Sequence, residues 1–247
     1  MRRMITTFRR FSIASYLILS SFDASAGDAP CQTRQFEGQA FTVCSVDLAS
    51  HDIRLFLKRT DGSIYGQPEA LPRDRLLFAM NAGMFGTTRM PIGLYVEKGV
   101  RITALNTKNG GGNFHLQPNG VFWIKDGKAA VTTTASYAKA GPAPDFATQS
   151  GPMLVFDGAI NPLFDANGPS HYVRNGVGIV DAAHVVFAIS NEPVSFGVFA
   201  GLFRDDLKCP NALYLDGSVS HLFQAGQSDG YGGNDLGPLI GVYGRAP

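Results

Sequence analysis

The sequence has no excess of charge of either sign. It contains 21 Lys and Arg and 20 Asp and Glu in 247 residues, a formal net charge of +1. A protein that relies on contacts to a phosphate backbone normally carries a basic excess or a clustered basic face. Nucleic acid is therefore not expected as a partner.

The motifs of common cofactor and metal sites are also missing. No Walker lysine follows the glycines at 110–112, so this stretch is neither a P-loop nor a dinucleotide fingerprint. The five histidines are scattered without an H-E-x-x-H pattern, and residues 217–221 lack the G-x-S-x-G spacing of a nucleophile elbow. We predict no cofactor and assign no metal site. Metal dependence stays open, because Asp216 could be a ligand of a hard cation although no companion carboxylates stand at a recognisable spacing. The absence of a linker or an internal repeat favours one domain.

The first 26 residues have the pattern of an export signal. Four arginines precede or flank an apolar stretch at 11–19, and a small-x-small pattern ends at Ala26. The alternative, a membrane anchor, needs about 20 unbroken apolar residues, and Ser12 and Ser15 interrupt this stretch. We expect cleavage after Ala26, which removes four arginines and one aspartate and leaves a domain over 27–247 with 17 basic and 19 acidic residues. The mature chain should be periplasmic or secreted, with no stable membrane insertion.

Three cysteines, Cys31, Cys44 and Cys209, remain after this cleavage. An oxidising compartment allows a disulfide, and three pairings are possible in principle. We expect Cys31 to pair with Cys44, because this bridge would fasten an end of the chain that otherwise frays. Cys209 precedes an apolar run, and we interpret it as a buried, inert thiol rather than a nucleophile.

Short apolar or alternating runs, separated by Gly, Pro, Asn and Asp, dominate the chain and predict strands. Two helices are indicated: one over 196–208 with Ser195 as a possible N-cap, and a weaker one over 133–140. Many strands and few helices predict an α+β fold, a single compact β-rich mixed domain, since a doubly wound sheet needs a crossover helix between most strands. The predicted strands are 41–47, 53–57, 76–80, 93–97, 120–125, 153–156, 176–180, 185–189 and 212–215.

Polar residues gather at the ends of these strands. Asn81 and Gly83 follow an apolar strand, where they are either turn formers or part of a site. Asn106 lies in a glycine-rich polar loop, which can bring a backbone close to a ligand or be only a surface loop. The pair Asp157-Gly158 is a hairpin signal, so we interpret Asp157 as a turn residue rather than an acid.

Two further clusters carry charge. Arg174 stands just before an apolar strand, and its guanidinium can bind a phosphate or carboxylate in two places or be solvated in a loop. A second apolar strand delivers Asp216 to its end, with Ser218 and Ser220 beyond a glycine. This second cluster is the most suggestive of chemistry, because functional residues are often held in loops at strand ends.

In this order the clusters resemble the phosphodiester glycosidase family, which is related to the lysosomal uncovering enzyme. The resemblance extends from residue 76 to the C terminus. Each motif is weak by itself, and the order in which the motifs occur is what identifies the family. The N-A-G-M-F at 81–85 is similar to the family's N-A/G-G-F-F, and S-G-P at 150–152 with D-G at 157–158 to its S-G-P and D-G. Residues 174–179 are similar to R-T-A-I-G and 211–220 to N-L-D-G-G-G-S-S. The stretches 91–94 and 105–122 resemble a bacterial branch of exported proteins.

The resemblance implies an exported hydrolase that cleaves a glycosyl-1-phosphodiester bond in an envelope or secreted glycan. Arg174 would neutralise the phosphodiester, and Asp216 would stabilise positive charge at the anomeric carbon. A second carboxylate would activate water, and Glu192 is the candidate, although a helix-entry loop accounts for it equally well. The residues that would bind the sugar phosphate or glycan are Asn81, Gly83, Asn106, Asn175, Ser218 and Ser220.

The sequence departs from the family pattern in two places. The glycine run after the aspartate is replaced by Gly217, Ser218 and Val219, and the threonine of R-T-A-I-G is Asn175. Fold-level likeness does not fix function. The alternative is therefore a non-catalytic periplasmic glycan or phosphoglycan binding protein of the same fold, and a third possibility is an envelope assembly partner with an exposed apolar patch.

Overall fold

The computed structural model describes residues 30–165, 168–226 and 235–245. The predicted export signal lies outside these residues. Within them, no helix combines the length and the apolar character that a membrane crossing requires.

Three sheets, in which all pairings are antiparallel, make up the described part of the chain. Their strands are β1 (Cys31–Phe36), β2 (Gln39–Asp47), β3 (His51–Phe56), β4 (Leu76–Asn81), β5 (Tyr95–Glu97), β6 (Val100–Thr103), β7 (Gly120–Lys125), β8 (Lys128–Thr133), β9 (Phe146–Ser150), β10 (Met153–Phe156), β11 (Ala159–Ile160), β12 (Asn175–Ile179), β13 (His184–Ser190), β14 (Asn211–Tyr214), β15 (Leu222–Gln224) and β16 (Leu239–Gly244). The seven-stranded sheet has the order β1-β2-β13-β12-β14-β10-β11. The four-stranded sheet is β15-β4-β16-β3, and the five-stranded sheet is β6-β5-β9-β7-β8.

The three sheets share one hydrophobic core. Phe187 of β13 contacts Phe78 of β4 and Phe122 of β7 edge to face, with ring centroids 5.7 and 5.9 Å apart. Each of these phenylalanines comes from a different sheet, and all three are fully buried. Edge-to-face aromatic pairs add about 1 kcal/mol each beyond burial, so this trio fixes how the sheets pack together.

Two short helices cover outer faces of the sheets. Helix α1 (Thr134–Ala140) packs beside β7, and α2 (Phe196–Gly201) packs against β10 and continues into a π-helical turn over Leu202–Asp206. The Ser195 hydroxyl caps α2 by accepting from the Val198 amide over 3.1 Å, as predicted. The prediction of a β-rich fold with few helices is confirmed. The α+β class is less well supported, because two isolated helices do not form a layer of their own.

The disulfide prediction is confirmed. Cys31 and Cys44 face each other in the β1–β2 register and are bonded. Cys209 is a buried free cysteine, and burial raises the pKa of its thiol to about 12. The turn assigned to Asp157 is also correct: the residue has φ 51° and joins β10 to β11.

Candidate active site

Three strand ends meet where the seven-stranded and four-stranded sheets come together. Strand β4 ends at Asn81, β12 begins at Asn175, and β14 ends at Tyr214, two residues before Asp216. The amide of Asp216 donates to the carbonyl of Ala82 over 3.3 Å, which ties the two sheets together at this point. The residues predicted at these ends are therefore brought into one cluster.

The carboxamide of Asn81 is the centre of that cluster and is completely buried. Its Nδ2 donates to the Asp216 carbonyl over 2.9 Å and to Asn175 Oδ1 over 3.5 Å. Its Oδ1 accepts from the His221 amide and from Asn175 Nδ2, each over 2.9 Å. An amide side chain offers two donors and two lone pairs, so all the hydrogen-bonding positions of Asn81 are occupied by the protein itself.

Asn175 and Ser220 extend the same network. Asn175 is fully buried, and its Oδ1 accepts from the Ser220 hydroxyl over 3.2 Å. The same hydroxyl oxygen lies 2.9 Å from the Val173 carbonyl oxygen, so its single hydrogen is shared between these two acceptors. These side chains join strand ends and have little capacity left for a ligand, so their predicted role in substrate binding stays a prediction.

Asp216 carries the carboxylate of the cluster and is 9% exposed. Burial raises the pKa of this carboxyl, while the backbone amides of Ser218 and Phe85 act in the opposite direction. The Ser218 amide lies 3.3 Å from Oδ1, and the Ser218 side chain is exposed beside it. A partly desolvated carboxylate at a strand end has the properties of a catalytic acid, base or charge stabiliser.

Arg174 is also present, but its side chain is turned inward and has no exposed surface. Its Nε donates to the Val194 carbonyl over 2.8 Å, Nη2 to the carbonyl and hydroxyl of Ser170 over 2.8 and 3.2 Å, and Nη1 to the Tyr214 hydroxyl over 3.3 Å. These bonds use four of the five N–H groups of a guanidinium. The predicted two-point grip on a phosphate would require some of them to break.

The charge of Arg174 has no carboxylate partner among the described residues within 4.0 Å. Desolvation lowers the pKa of the guanidinium, and the neighbouring Tyr214 opposes that shift. The guanidinium carbon lies 3.6 Å from the centroid of the Phe196 ring, in cation–π contact. The site therefore contains a buried positive charge that is stabilised by carbonyls and an aromatic face.

Two predicted binding residues have structural contacts of another kind. A Cβ on Gly83 would lie 2.4 Å from the Gln149 carbonyl oxygen, so this glycine permits close packing of the segment after β4 on β9. Asn106 donates from Nδ2 to the Ile92 carbonyl over 2.9 Å and accepts at Oδ1 from the Lys108 amide over 3.0 Å. Both residues shape the loops around the cluster, and no contact joins Asn106 to Asp216 in the described part of the chain.

Glu192 lies outside the cluster. It is exposed in the loop between β13 and α2. Within the described residues it forms no hydrogen bond or ion pair, and nothing connects its carboxylate to Asp216. Its predicted role as the water-activating base stays a prediction with no structural contact behind it.

A histidine that the sequence reasoning did not select lies beside the cluster. The amide of His221 bonds to Asn81, and its Nε2 lies 3.0 Å from Oε1 of Glu69. The two side chains are 14% and 22% exposed. Because 152 residues separate them, only the tertiary fold could have revealed the pair. Within the described residues, no cluster of three or more His, Cys, Asp or Glu could hold a metal ion.

Three solved structures have a similar fold. The catalytic domain of zebrafish N-acetylglucosamine-1-phosphodiester alpha-N-acetylglucosaminidase, auto-inhibited by its pro-peptide, has a TM-score of 0.60 at 13% identity over 87% of this chain and 82% of that one. A hypothetical protein from Synechocystis has 0.57 at 15% over 87% and 61%. A putative exported protein from Burkholderia pseudomallei has 0.53 at 11% over 83% and 74%. At these identities the likeness shows the fold alone.

Sequence comparison goes further. The chain is 32% identical over 228 residues to the uncharacterized protein YigE of Escherichia coli (strain K12), covering 90% of this chain and 88% of that protein. Residues 74–237, which contain Asn81, Arg174, Asn175, Asp216 and His221, match the family described as phosphodiester glycosidase. This protein belongs to the phosphodiester glycosidase family.

Proposed function

We propose that the protein is an exported hydrolase that cleaves a glycosyl-1-phosphodiester bond in an envelope or secreted glycan, acting in the periplasm or after secretion. The observation that carries the proposal is the Asp216 carboxylate. It is partly desolvated, accepts a hydrogen bond from the Ser218 amide, and is located where the strand ends of two sheets converge. In a member of this family, that is the arrangement expected of a group that acts on an anomeric centre.

In the proposed reaction, the bond between the anomeric carbon and the phosphate oxygen breaks, and its electron pair goes to the phosphate. The phosphodiester becomes a phosphomonoester, and positive charge develops on the sugar ring. Ionised Asp216 stabilises that charge. Water then adds to the anomeric carbon and gives up a proton, which yields the free sugar.

The buried charge of Arg174 supports an anionic substrate. With no carboxylate partner among the described residues, its field is not cancelled locally, and a low-dielectric surrounding screens it poorly. A phosphodiester carries one negative charge and would be attracted to this region. The attraction requires no direct contact with the guanidinium.

His221 is a better candidate than Glu192 for the group that accepts the proton from water. Its main chain is bonded to the same Asn81 that holds Asp216, and Glu69 lies within hydrogen-bond distance of its ring. A carboxylate behind an imidazole orients the ring. Glu192 has no comparable connection to Asp216.

The test is hydrolysis of a sugar 1-(4-nitrophenyl phosphate) in water enriched in oxygen-18. Cleavage at the anomeric carbon places the label in the released sugar and leaves 4-nitrophenyl phosphate unlabelled. Asp216→Asn should reduce the rate by about 10²- to 10⁴-fold. The matched control is Asp157→Asn, at an exposed turn position where Asn also tolerates positive φ. Label in the phosphate would overturn the proposal, and tight binding without turnover would favour the glycan-binding alternative.

A further inference from the structure

We propose that Arg174 and Tyr214 are positioning residues that hold the turn carrying Asp216, and that Arg174 acts through the Tyr214 hydroxyl rather than as a ligand of the phosphate. This inference rests on the proposed function and gives Arg174 a different role from the predicted one. The turn meant here, the Asp216 turn, is Asp216 with the 3₁₀ segment Gly217–Val219.

The first step is the direction of the Arg174 side chain. It is fully buried, its Nη2 and Nε groups are bonded to carbonyls of the covering loops, and Phe196 stacks on the guanidinium. The Nη1 group points to the Tyr214 hydroxyl, 3.3 Å away. A phosphate could reach this guanidinium only by displacing the covering residues, whereas the contact to Tyr214 already exists.

The second step is the contact between Tyr214 and the Asp216 turn. A Cβ built on Gly217 would lie 1.5 Å from the Tyr214 hydroxyl oxygen and 2.3 Å from its Cζ. The phenol therefore occupies the space in which any side chain at position 217 would stand. The hydroxyl supports the main chain of the residue that directly follows Asp216.

The third step concerns the charge state of the phenol. Burial raises the pKa of Tyr214 to about 12, with Arg174 acting in the opposite direction. The hydroxyl is therefore neutral at any physiological pH and accepts from Arg174 without forming an ion pair. Its ring is fixed by an edge-to-face contact with Phe196, at 4.8 Å between centroids. The cation, the phenol and the turn thus form one series of contacts that ends at Gly217, the residue directly after Asp216.

The two roles for Arg174 predict different kinetics. A phosphate ligand matters only for substrates that carry a phosphate, and its loss weakens their binding. A positioning residue matters for every substrate that uses Asp216, whatever the leaving group. The experiment therefore compares a glycosyl 1-phosphodiester with the corresponding glycosyl fluoride, which has no phosphate.

We expect Tyr214→Phe to lower kcat by about 10- to 100-fold on both substrates, the loss typical of a misplaced catalytic group, with little change in KM. Arg174→Met should lower kcat on both substrates in the same way, and it should raise KM for the phosphodiester alone, because the charge that attracts the anion is lost. The double variant should lose no more than the more damaging single variant, because residues that act in series are not additive. Amide hydrogen exchange in the Asp216 turn should rise in both single variants, and this measurement needs no turnover.

Two matched controls separate positioning from general damage. Tyr243→Phe removes a hydroxyl that is equally buried but has no hydrogen-bond partner among the described residues, at the far end of β4 from Asn81. Arg204→Met removes an arginine whose side chain is 42% exposed. Both should retain wild-type kinetics and exchange. If Arg174→Met does not fold, as judged by circular dichroism, Tyr214→Phe alone decides the question.

The proposal is overturned by a loss confined to the phosphodiester with a raised KM, by multiplicative losses in the double variant, or by unchanged exchange in Tyr214→Phe. A wild-type protein that hydrolyses neither substrate would refute the proposed function instead. In that case the exchange data still decide whether Tyr214 and Arg174 position the turn.

Discussion

Replacing Gly217 by alanine is the most direct test of the packing beneath the Asp216 turn. Gly217 does not have a positive φ, so alanine introduces no backbone strain there. The change adds only a methyl group, which would lie 1.5 Å from the Tyr214 hydroxyl oxygen, where an ordinary contact is 3.4–4 Å. The overlap is about 2 Å by that comparison, more than a buried ring can absorb.

The magnitude follows from the cost of overpacking. Such insertions cost about 1–3 kcal/mol, and we expect the upper value because Tyr214 is 1% exposed and is held by Arg174 and Phe196. A loss of about 3 kcal/mol lowers Tm by about 6–12 °C in a chain of this size. The turn must also move, so hydrolysis should fall by about 100-fold.

Thermal unfolding and urea titration measure the stability, and the oxygen-18 assay measures the activity. The control is Gly111→Ala, at an exposed glycine without positive φ and with nothing within 4 Å of the added methyl. Adding Tyr214→Phe to Gly217→Ala should recover part of the stability, because the nearest atom is removed. The reasoning is wrong if Gly217→Ala unfolds within about 0.5 kcal/mol of the wild type, the range of an ordinary surface substitution.

Three further predictions concern charge, the disulfide and the base. Burial raises the pKa of Asp216, so the folded state holds the proton of this carboxyl more tightly than the unfolded state does. The stability of the wild type relative to Asp216→Asn should therefore be greatest at low pH. It should fall as the pH rises from 3.8 through the raised pKa. The double variant Cys31→Ser/Cys44→Ser, which opens a loop of 13 residues, should lose about 3 kcal/mol in thermal unfolding. His221→Asn should reduce kcat by about 10²-fold or more, whereas Glu192→Gln should leave the pH–rate profile unchanged.

Each of these has an outcome that contradicts it. A stability difference between the wild type and Asp216→Asn that does not vary with pH would show that the carboxyl is not desolvated. If a reductant lowers the Tm of the double cysteine variant as much as that of the wild type, the loss of stability is not caused by the disulfide. If Glu192→Gln loses the basic or acidic limb of the pH–rate profile while His221→Asn stays active, Glu192 is again the candidate for the base that activates water.

Strands that carry their own hydrophobic pattern could be predicted from the sequence, and strands defined by their neighbours could not. Strands β2 and β13 were found from apolar or alternating runs, and both lie inside the seven-stranded sheet. Strand β1 was missed because it is an edge strand whose residues are exposed or half-buried. Strand β16 was also missed, although it lies between β3 and β4 and is almost entirely buried.

The same distinction holds for the site. The motif order predicted Asn81, Asn175 and Asp216 as residues of one site, and the fold brings them together because Asn81 and Asn175 stand at strand ends and Asp216 follows the end of β14; their roles stay predictions. It did not predict that the two amides would bond to each other, or that Arg174 would be covered, since both depend on side-chain directions across two sheets. The pairing of His221 with Glu69 is a tertiary contact with no local signal.

The contacts divide the site into residues that build it and residues that remain available to a ligand, and this division limits where substrate specificity can come from. The side chains of Asn81 and Asn175 form hydrogen bonds with each other and with the main chain. They could bind a sugar only if these bonds, which join the two sheets, were broken. Among the described residues of the cluster, Asp216 keeps 9% of its surface exposed and Ser218 is exposed. All sugars have an anomeric carbon, so a carboxylate that acts there does not distinguish one sugar from another. On the proposed function, we expect Ser218 and the described loops around it to recognise the sugar, and here Gly217, Ser218 and Val219 stand in place of the family's glycine run.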